Sequence, residues 1–373
     1  MQHPPAEVGM PLEAVDTPAL LIELDAFERN LRRMADYLAG RSVRLRPHAK
    51  THKCPAVAHR QMALGAVGMC CQKVGEAEAM VLGGVPDVYV SNEVVGASKI
   101  ARLAALARQA RIAVCADDAD NVRQLGEAAR AFGVVLPVLV EIDVGAERCG
   151  VAPGEPAVTL AKHIAAQRGL RFAGLQAYQG RAQHIREIDK RREAIGEAVN
   201  RVRRTIDGLR AAGLPCETIS GAGTGTFRFE TESGVYTELQ AGSYAFMDVD
   251  YAKNQVEHEK PFAEFEHSLF VYATLMSRPT RERAVVDSGL KALGVDAGMP
   301  TVHGMTDVEY VRPSDEHGKL LLHDPERPLR VGDKLRLIPG HCDPTINLYD
   351  WYVGVRNGRV ECLWPITARG ATR

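Results

Sequence analysis

The sequence predicts an α/β protein in which a TIM-like (β/α)8 barrel is combined with a mainly-β domain. Short, β-rich apolar runs alternate with longer stretches of helical period between about residues 43 and 250, which is the pattern of parallel βα units. Beyond this region the segments become alternating and are punctuated by turns, and the strand-like run PALLIEL precedes the barrel. We therefore expect a barrel over 24–258 and a C-terminal β-domain, joined by the N-terminal strand, over 1–23 and 259–373.

Eight apolar runs are the candidate strands of the barrel. Amphipathic stretches between them predict outer helices, and eight such units in roughly 200 residues fit a (β/α)8 barrel. The runs span 43–49, 66–71, 87–91, 111–116, 134–142, 171–177, 216–220 and 243–248.

Two local signals lie outside these runs. Asp25, with Glu28 three residues later, predicts an N-cap for the first helix. Near the C-terminus, Asn357-Gly358 between two alternating segments predicts a tight β-hairpin.

Composition argues against several classes of protein. The 373 residues include 46 basic and 47 acidic side chains, so nothing favours a nucleic-acid or membrane surface. No leader pattern or long apolar span is apparent, and we expect a cytoplasmic protein. The eight cysteines are scattered without a CxxC pair, which indicates reduced thiols and disfavours a finger-type zinc site.

Lys50 follows the first predicted strand in the run RPHAKTHK. If the strand stays extended, Arg46, His48 and Lys50 share one face and point into the barrel. Burial would depress the pKa of a lysine, as a Schiff-base lysine requires. An exposed basic loop is an equally open interpretation. His48 and His52 are candidates for proton transfer near Lys50, and packing around the lysine is their other possible role.

A glycine-rich segment, SGAGTGT, follows the seventh predicted strand at 220–226. Small residues allow backbone N–H groups to surround an anion, and threonine hydroxyls add donors. The segment lacks the lysine of a P-loop. It is either a phosphate seat or a flexible turn.

His341 and Asp343 lie in the predicted β-domain, two residues apart. In an extended backbone they would share a face and could bind a divalent cation, with Cys342 facing away. Two ligands alone do not define a metal site, and taken in isolation the pair favours a solvated polar loop. Other polar residues near strand ends could line a pocket, among them Gln72, Glu141, Asp143, Arg148, Gln176, Tyr178 and Tyr244.

Taken together, nine ordered motifs resemble the metal-dependent D-threonine aldolases of bacteria, which are related to D-serine dehydratases and, more distantly, to alanine racemases. The resemblance runs from about Asp16 to the C-terminus. The motifs are TPALLIEL, RPHAKTHKCP, GMCCQKVGEAE, SNEVVG, EIDVGAERCGV, GLQAYQG, SGAGTGT, GVYTELQAGSYAFMD and PGHCDPTINLYD.

The resemblance implies pyridoxal phosphate as the cofactor, covalently bound to Lys50. It places Arg148 against the phenolic oxygen of the cofactor, Tyr178 near the pyridine nitrogen and Gln72 close to the ring. The implied phosphate seat comprises Gly221, Gly223, Thr224, Gly225, Thr226, Ser243 and Tyr244.

The resemblance also implies that His341 and Asp343 bind a divalent metal beside the β-hydroxyl of the substrate. The related dehydratases typically have cysteine at the second position, which favours zinc. Asp343 offers a harder oxygen ligand and suits Mn²⁺, with Mg²⁺ or Co²⁺ as further possibilities.

The activity implied is retro-aldol cleavage of D-β-hydroxy-α-amino acids to glycine and an aldehyde, with His52 as a candidate catalytic group beside Lys50. Two alternatives remain: dehydration of D-serine or D-threo-3-hydroxyaspartate by β-elimination, and a non-catalytic pyridoxal-phosphate-binding protein. The relatives of the latter kind consist of a barrel alone, so the long β-domain argues against that reading. Fold analogy suggests a homodimer.

Overall fold

A computed structural model describes residues 3–257 and 260–373 of the chain. Its first sheet contains eight parallel strands, and the chain returns to the same end of the sheet between consecutive strands. The strands are Arg44–Leu45, Met69–Cys71, Asp87–Glu93, Arg111–Ala116, Leu136–Glu141, Leu170–Gln176, Thr218–Gly221 and Glu238–Leu239.

Backbone hydrogen bonds close this sheet into a barrel. The last strand, Glu238–Leu239, pairs in parallel with the first strand, Arg44–Leu45. Beyond the first strand, Ala49 N donates to Cys70 O at 2.7 Å and Cys70 N donates to Pro47 O at 2.8 Å. The predicted TIM-like barrel is therefore confirmed.

The eighth barrel strand differs from the sequence prediction. Residues 243–248 do not form a strand, because Ser243–Ala245 is a single 3-10 turn, and Glu238–Leu239 closes the barrel instead. Tyr244, Ala245 and Phe246 are all buried. A short run that is buried throughout has no alternating period, so its sequence does not distinguish strand from helix or turn.

Helices surround the barrel. The first begins at Leu24, where the Glu23 side chain accepts a hydrogen bond from Ala26 N at 2.7 Å, so the prediction that Asp25 is the N-cap is wrong. Glu28 pairs instead with Arg356, at 2.7 Å. The α-helices are Leu24–Leu38, Pro55–Ala63, Val74–Leu82, Ala97–Leu106, Ala119–Phe132, Glu155–Ala166, Ile188–Ala211, Phe227–Glu232, Val249–Ala252 and Cys342–Ile346, with 3-10 turns at Leu12–Ala14, Arg181–His184 and Ser243–Ala245.

The second sheet contains nine strands and forms the β-domain. Ala19–Glu23 lies inside it, antiparallel to Leu269–Ser277 and parallel to Trp351–Arg356, so the N-terminal strand joins the C-terminal sheet as predicted. A separate short pairing joins Gln255–Glu257 to Lys260–Pro261. The nine strands are Ala19–Glu23, Leu269–Ser277, Arg283–Val286, Thr301–Val302, Val308–Pro313, Gly318–Leu322, Lys334–Ile338, Trp351–Arg356 and Arg359–Pro365.

The predicted hairpin is confirmed. Trp351–Arg356 and Arg359–Pro365 are antiparallel, and the two residues between them have positive φ angles, 49° at Asn357 and 72° at Gly358. This is the backbone of a type I′ turn, whose twist matches that of the flanking strands.

The barrel and the β-domain share one hydrophobic core, which contains barrel residues such as Phe246 and β-domain residues such as Tyr352. The rings of these two residues lie 5.7 Å apart. All eight cysteines are free thiols. Within the described ranges, no helix is both long enough and apolar enough to span a bilayer.

Candidate active site

A cavity of about 430 Å³ opens at the C-terminal ends of the barrel strands. Loops that follow six different strands contribute to its wall, including those that carry Lys50, Gln72, Arg148, Tyr178 and Thr224. This is the end of a TIM barrel at which active sites are found.

Lys50 joins the barrel to the β-domain. Its Nζ lies 2.6 Å from Oδ2 of Asp343. Burial opposes the charge of both groups, but their mutual attraction outweighs it, so that the pKa of Lys50 is raised above its usual value and the pKa of Asp343 is lowered to about 2. The expectation that burial would depress the pKa of Lys50 is therefore wrong for this ion pair, because it did not include a carboxylate from the other domain.

His48 is a neutral, buried ring beneath Lys50. Burial, and then the nearby Lys50 charge, holds the pKa of His48 well below its usual value. Its Nδ1 accepts from Lys50 N at 3.3 Å, and its Nε2 lies 3.2 Å from Ser91 Oγ. The Gln72 amide lies 2.9 Å from the same nitrogen. These contacts fix the backbone turn that directs Lys50 into the cavity.

His52 does not line the cavity. Its side chain is fully buried. Nδ1 accepts from Cys54 N at 3.1 Å, while Nε2 has no hydrogen-bond partner within the described part of the chain. Burial lowers the pKa of His52 to about 3, so the ring is neutral over the physiological pH range.

Part of the glycine-rich segment forms the cavity wall. Gly223 and Thr224 line it, together with Gly242 and Ser243. Thr224 Oγ1 is buried and has no hydrogen-bond partner among the described residues, which leaves a donor for an anion. A Cβ at position 242 would lie only 2.7 Å from Thr51 Oγ1. Glycine therefore allows the backbone at this position to lie close to Thr51. These features fit the phosphate group of pyridoxal phosphate.

Other members of the predicted phosphate seat turn away from the cavity. Thr226 Oγ1 donates to Glu230 Oε1 and accepts from Gln183 Nε2, both at 2.8 Å, while Gly225 N donates to Gln183 Oε1 at 3.0 Å. These hydrogen bonds hold the loop in place from the side that faces away from the cavity. Neither of two further predicted residues lines the cavity: Gly221 ends a strand and the Tyr244 hydroxyl accepts from Gln61.

Arg148 and Tyr178 face each other across part of the cavity wall. The guanidinium carbon of Arg148 lies 5.7 Å from the centre of the Tyr178 ring, and Arg148 Nη2 lies 3.7 Å from Glu141 Oε1. Burial raises the pKa of Tyr178, so its phenol remains a hydrogen-bond donor at neutral pH.

His341 and Asp343 do not share the face of an extended segment as predicted, because His341 caps the short helix Cys342–Ile346. The two side chains therefore extend from different positions of the helix, His341 from its N-cap and Asp343 from its first turn. His341 Nδ1 lies 2.8 Å from Asp296 Oδ2, and Asp343 Oδ1 is buried without a hydrogen-bond partner in residues 3–257 and 260–373. The Cys342 thiol donates to Met247 O, so it faces away from the pair. An imidazole nitrogen and a carboxylate oxygen form a donor set that suits a divalent ion.

Potential metal ligands also cluster elsewhere around the barrel mouth. Within the described ranges, donor atoms lie within 4.8 Å of one another in the two groups Glu93, Asp117 and Cys149, and Glu93, Cys115 and Glu141. His341 and Asp343 belong to no such group of three. The protein therefore has more than one set of side chains that could hold a divalent ion.

His184, Arg181 and Tyr251 also line the cavity, and sequence reasoning missed all three. His184 Nδ1 lies 2.7 Å from Asp250 Oδ2. Burial opposes ionisation of Asp250, but hydrogen bonds from His184 and Arg186 lower the pKa of this carboxyl to about 2. The available signal was the run GRAQH, which follows the sixth barrel strand on the side where the chemistry gathers.

Two family models cover most of the chain. The one described as "Alanine racemase, N-terminal domain" matches residues 22–250, and the one described as "Putative serine dehydratase domain" matches residues 268–355.

Full-length relatives are also similar to this chain. It is 49% identical over 370 residues to 3-hydroxy-D-aspartate aldolase of Paracoccus denitrificans (strain Pd 1222), covering 98% of this chain and 95% of the relative. It is 48% identical over 370 residues to D-threonine aldolase of an Arthrobacter species, covering 99% and 97%. Its structure matches the crystal structure of D-threonine aldolase from Filomicrobium marinum with a TM-score of 0.96 and 53% identity, covering 99% of this chain and 100% of that one.

Proposed function

Because the chain belongs to the alanine racemase N-terminal domain family, we propose that it is a pyridoxal-phosphate-dependent aldolase that cleaves D-β-hydroxy-α-amino acids to glycine and an aldehyde. The observation that carries this proposal is the contact between Lys50, which lines the cavity, and Asp343 of the β-domain, at 2.6 Å. Near-half identity to two aldolases over the full length supports it. The enzyme is accordingly a carbon–carbon lyase.

The cavity provides a seat for the cofactor. Lys50 would bond to it covalently, and Thr224 Oγ1 and the backbone around Gly223 would bind its phosphate. Gln72 would lie by its ring, with Arg148 at its phenolic oxygen and Tyr178 near its pyridine nitrogen. When bound, pyridoxal phosphate supplies an electron sink for the bond broken at Cα.

His341 and Asp343 would hold the divalent ion, for which Mn²⁺ is the first candidate and Mg²⁺ or Co²⁺ are others. An ion at this position would supply Lewis-acid chemistry at the β-hydroxyl of the substrate. Asp296, which lies 2.8 Å from His341 Nδ1, orients the imidazole so that Nε2 is the nitrogen left for the metal.

His184 is placed to handle a proton. Its Nδ1 is bonded to Asp250, which leaves Nε2 as the nitrogen available to the cavity that the side chain lines. Aldol cleavage requires the β-hydroxyl to lose its proton as the Cα–Cβ bond breaks, and Nε2 can accept that proton. We assign this role to His184 in preference to His52, which is not part of the cavity wall.

A second candidate function is dehydration by β-elimination. The match of residues 268–355 to a model described as a serine dehydratase domain favours it, since this segment contains His341 and Asp343. Asp343 stands where the resemblance gives the dehydratases a cysteine, and this difference favours the aldolase.

We also propose the division into a barrel over 24–258 and a β-domain over 1–23 and 259–373, a homodimeric assembly and a cytoplasmic location. The proposed function is tested with purified enzyme, pyridoxal phosphate and Mn²⁺. D-threonine should be consumed with release of glycine, while L-threonine is left unchanged, because only one face of the bound substrate presents its hydroxyl to a metal fixed in the β-domain. Efficient cleavage of L-threonine would contradict this geometry.

A further inference from the structure

The cavity wall is cationic. Lys50, Arg148 and Arg181 line it, and no aspartate or glutamate among the described residues does so. In the proposed function Lys50 bonds to the cofactor and Arg148 lies at its phenolic oxygen. Arg181 is then a cation on the wall without a role in holding the cofactor.

The guanidinium of Arg181 forms an ion pair that another carboxylate could replace. Its Nη1 lies 2.8 Å from Oε2 of Glu147, and the two side chains are 61% and 70% exposed. An ion pair this open to solvent contributes little free energy, so another carboxylate can replace Glu147 without a large cost.

The turn that carries Arg181 is anchored beside His341 and Asp343. Arg181 begins the 3-10 turn that ends at His184, and His184 is bonded to Asp250. Asp250 N donates in turn to Gly340 O at 3.2 Å, next to His341. A substrate whose β-hydroxyl lies at His341 and Asp343 would therefore be bound close to the turn that carries Arg181.

We propose that Arg181 recognises a second carboxylate on Cβ, so that the enzyme prefers 3-hydroxy-D-aspartate to D-threonine. The inference rests on the proposed function and deepens it. Overall identity to the two kinds of aldolase is nearly equal, 49% and 48%, and does not separate them. With D-threonine, a methyl group occupies this position and Arg181 stays with Glu147. With 3-hydroxy-D-aspartate, the substrate carboxylate displaces Glu147, and cleavage yields glycine and glyoxylate.

Arg181→Gln tests this recognition. Its kcat/KM for 3-hydroxy-D-aspartate should fall roughly 10- to 100-fold, the range expected for loss of a charge-assisted hydrogen bond, while kcat/KM for D-threonine changes by less than about 3-fold. Arg181→Lys should recover part of the loss, because it restores the charge without the planar fork. Arg171→Gln is the matched control, since Arg171 forms a similarly exposed pair with Glu217 at 3.0 Å and should leave both substrates unaffected.

Glu147→Gln provides an independent measurement, because it removes the competing carboxylate. It should lower KM for 3-hydroxy-D-aspartate without changing D-threonine cleavage. D-aspartate, which lacks the hydroxyl and cannot be cleaved, should inhibit the wild-type holoenzyme more strongly than D-alanine does. Arg181→Gln should remove that difference.

Two results would overturn the inference while leaving the proposed function intact. An equal loss on both substrates in Arg181→Gln would indicate contact with the α-carboxylate or a structural role. No loss on either would leave Arg181 without a role in recognition. If the wild-type holoenzyme cleaves neither substrate, the proposed function itself fails, and the inference with it.

Discussion

Lys50 Nζ and Asp343 Oδ2 lie 2.6 Å apart, although 293 positions separate the two residues in the chain. The pair connects the end of the first barrel strand to the short helix Cys342–Ile346 of the β-domain. The proposed site of covalent cofactor attachment and one of the proposed metal ligands are therefore in direct contact, although they lie in different domains.

Replacing Lys50 with alanine should remove both the activity and the visible absorbance of the lysine-bound cofactor, because no other side chain in the cavity wall is proposed to bond to it. Absorption spectra and borohydride reduction measure this directly. Lys53 is paired with Glu76 in a buried contact and should not substitute. A borohydride-reducible bond that survives in Lys50→Ala would make the assignment of Lys50 wrong and Lys53 the next candidate.

Chelation should stop cleavage while the cofactor remains bound, because the proposed metal ligands come from the β-domain and the phosphate seat from the barrel. Mn²⁺ should restore the rate, and Asp343→Ala should behave like the chelated enzyme. Asp296→Ala is the graded comparison, since a partner that orients a metal-binding histidine contributes roughly 10- to 100-fold in metal affinity. Metal-free enzyme, verified by elemental analysis, that still cleaves D-threonine at the full rate would exclude this role.

The two threonines of the glycine-rich loop should separate cofactor binding from folding. Thr224→Ala should weaken pyridoxal phosphate binding by about 10-fold, the value of one lost hydrogen bond to an anion. The stability of the apoprotein should change little, because Thr224 Oγ1 has no hydrogen-bond partner in the part of the chain that the structure describes. Thr226→Ala should instead destabilise the apoprotein, because it leaves Gln183 and Glu230 without their shared hydroxyl. The opposite pattern in cofactor titrations and urea unfolding would reverse the assignment.

Glu230 should make the protein less stable as the pH rises. Burial raises the pKa of this carboxyl from 4.5 to about 7, so the unfolded chain releases the proton at lower pH than the folded one. The free energy of unfolding should fall by on the order of 3 kcal/mol as the pH rises from about 4.5 through 7. Glu230→Gln, compared with wild type by urea unfolding of the apoproteins at pH 5 and pH 8, should lose that part of the decline. An unchanged pH dependence would contradict the account.

Local patterns predicted much of the fold because the alternation of strands and helices is visible in the sequence as alternating apolar and amphipathic segments. Seven of the eight barrel strands fall where the apolar runs predicted them, and the eighth was misplaced because 243–248 is buried throughout and has no period. The geometry of the site was harder to predict from the sequence. The pattern GAGTGT does not reveal that Thr224 faces the cavity while Thr226 faces Gln183.

Contacts between distant segments account for the rest. The ion pair of Lys50 with Asp343 reversed the pKa shift predicted for the lysine. Similarly, the hydrogen bond of His184 to Asp250 depends on two loops that meet only in the folded chain. No spacing or periodicity encodes either contact.

Product analysis tests the central claim most directly. The holoenzyme, loaded with pyridoxal phosphate and Mn²⁺, is incubated with D-threonine, and glycine, acetaldehyde, 2-oxobutanoate and ammonia are quantified over time. Aldol cleavage predicts one molecule of glycine and one molecule of acetaldehyde for each molecule of D-threonine consumed. Release of 2-oxobutanoate and ammonia as the main products would contradict the aldolase and establish elimination at the same site.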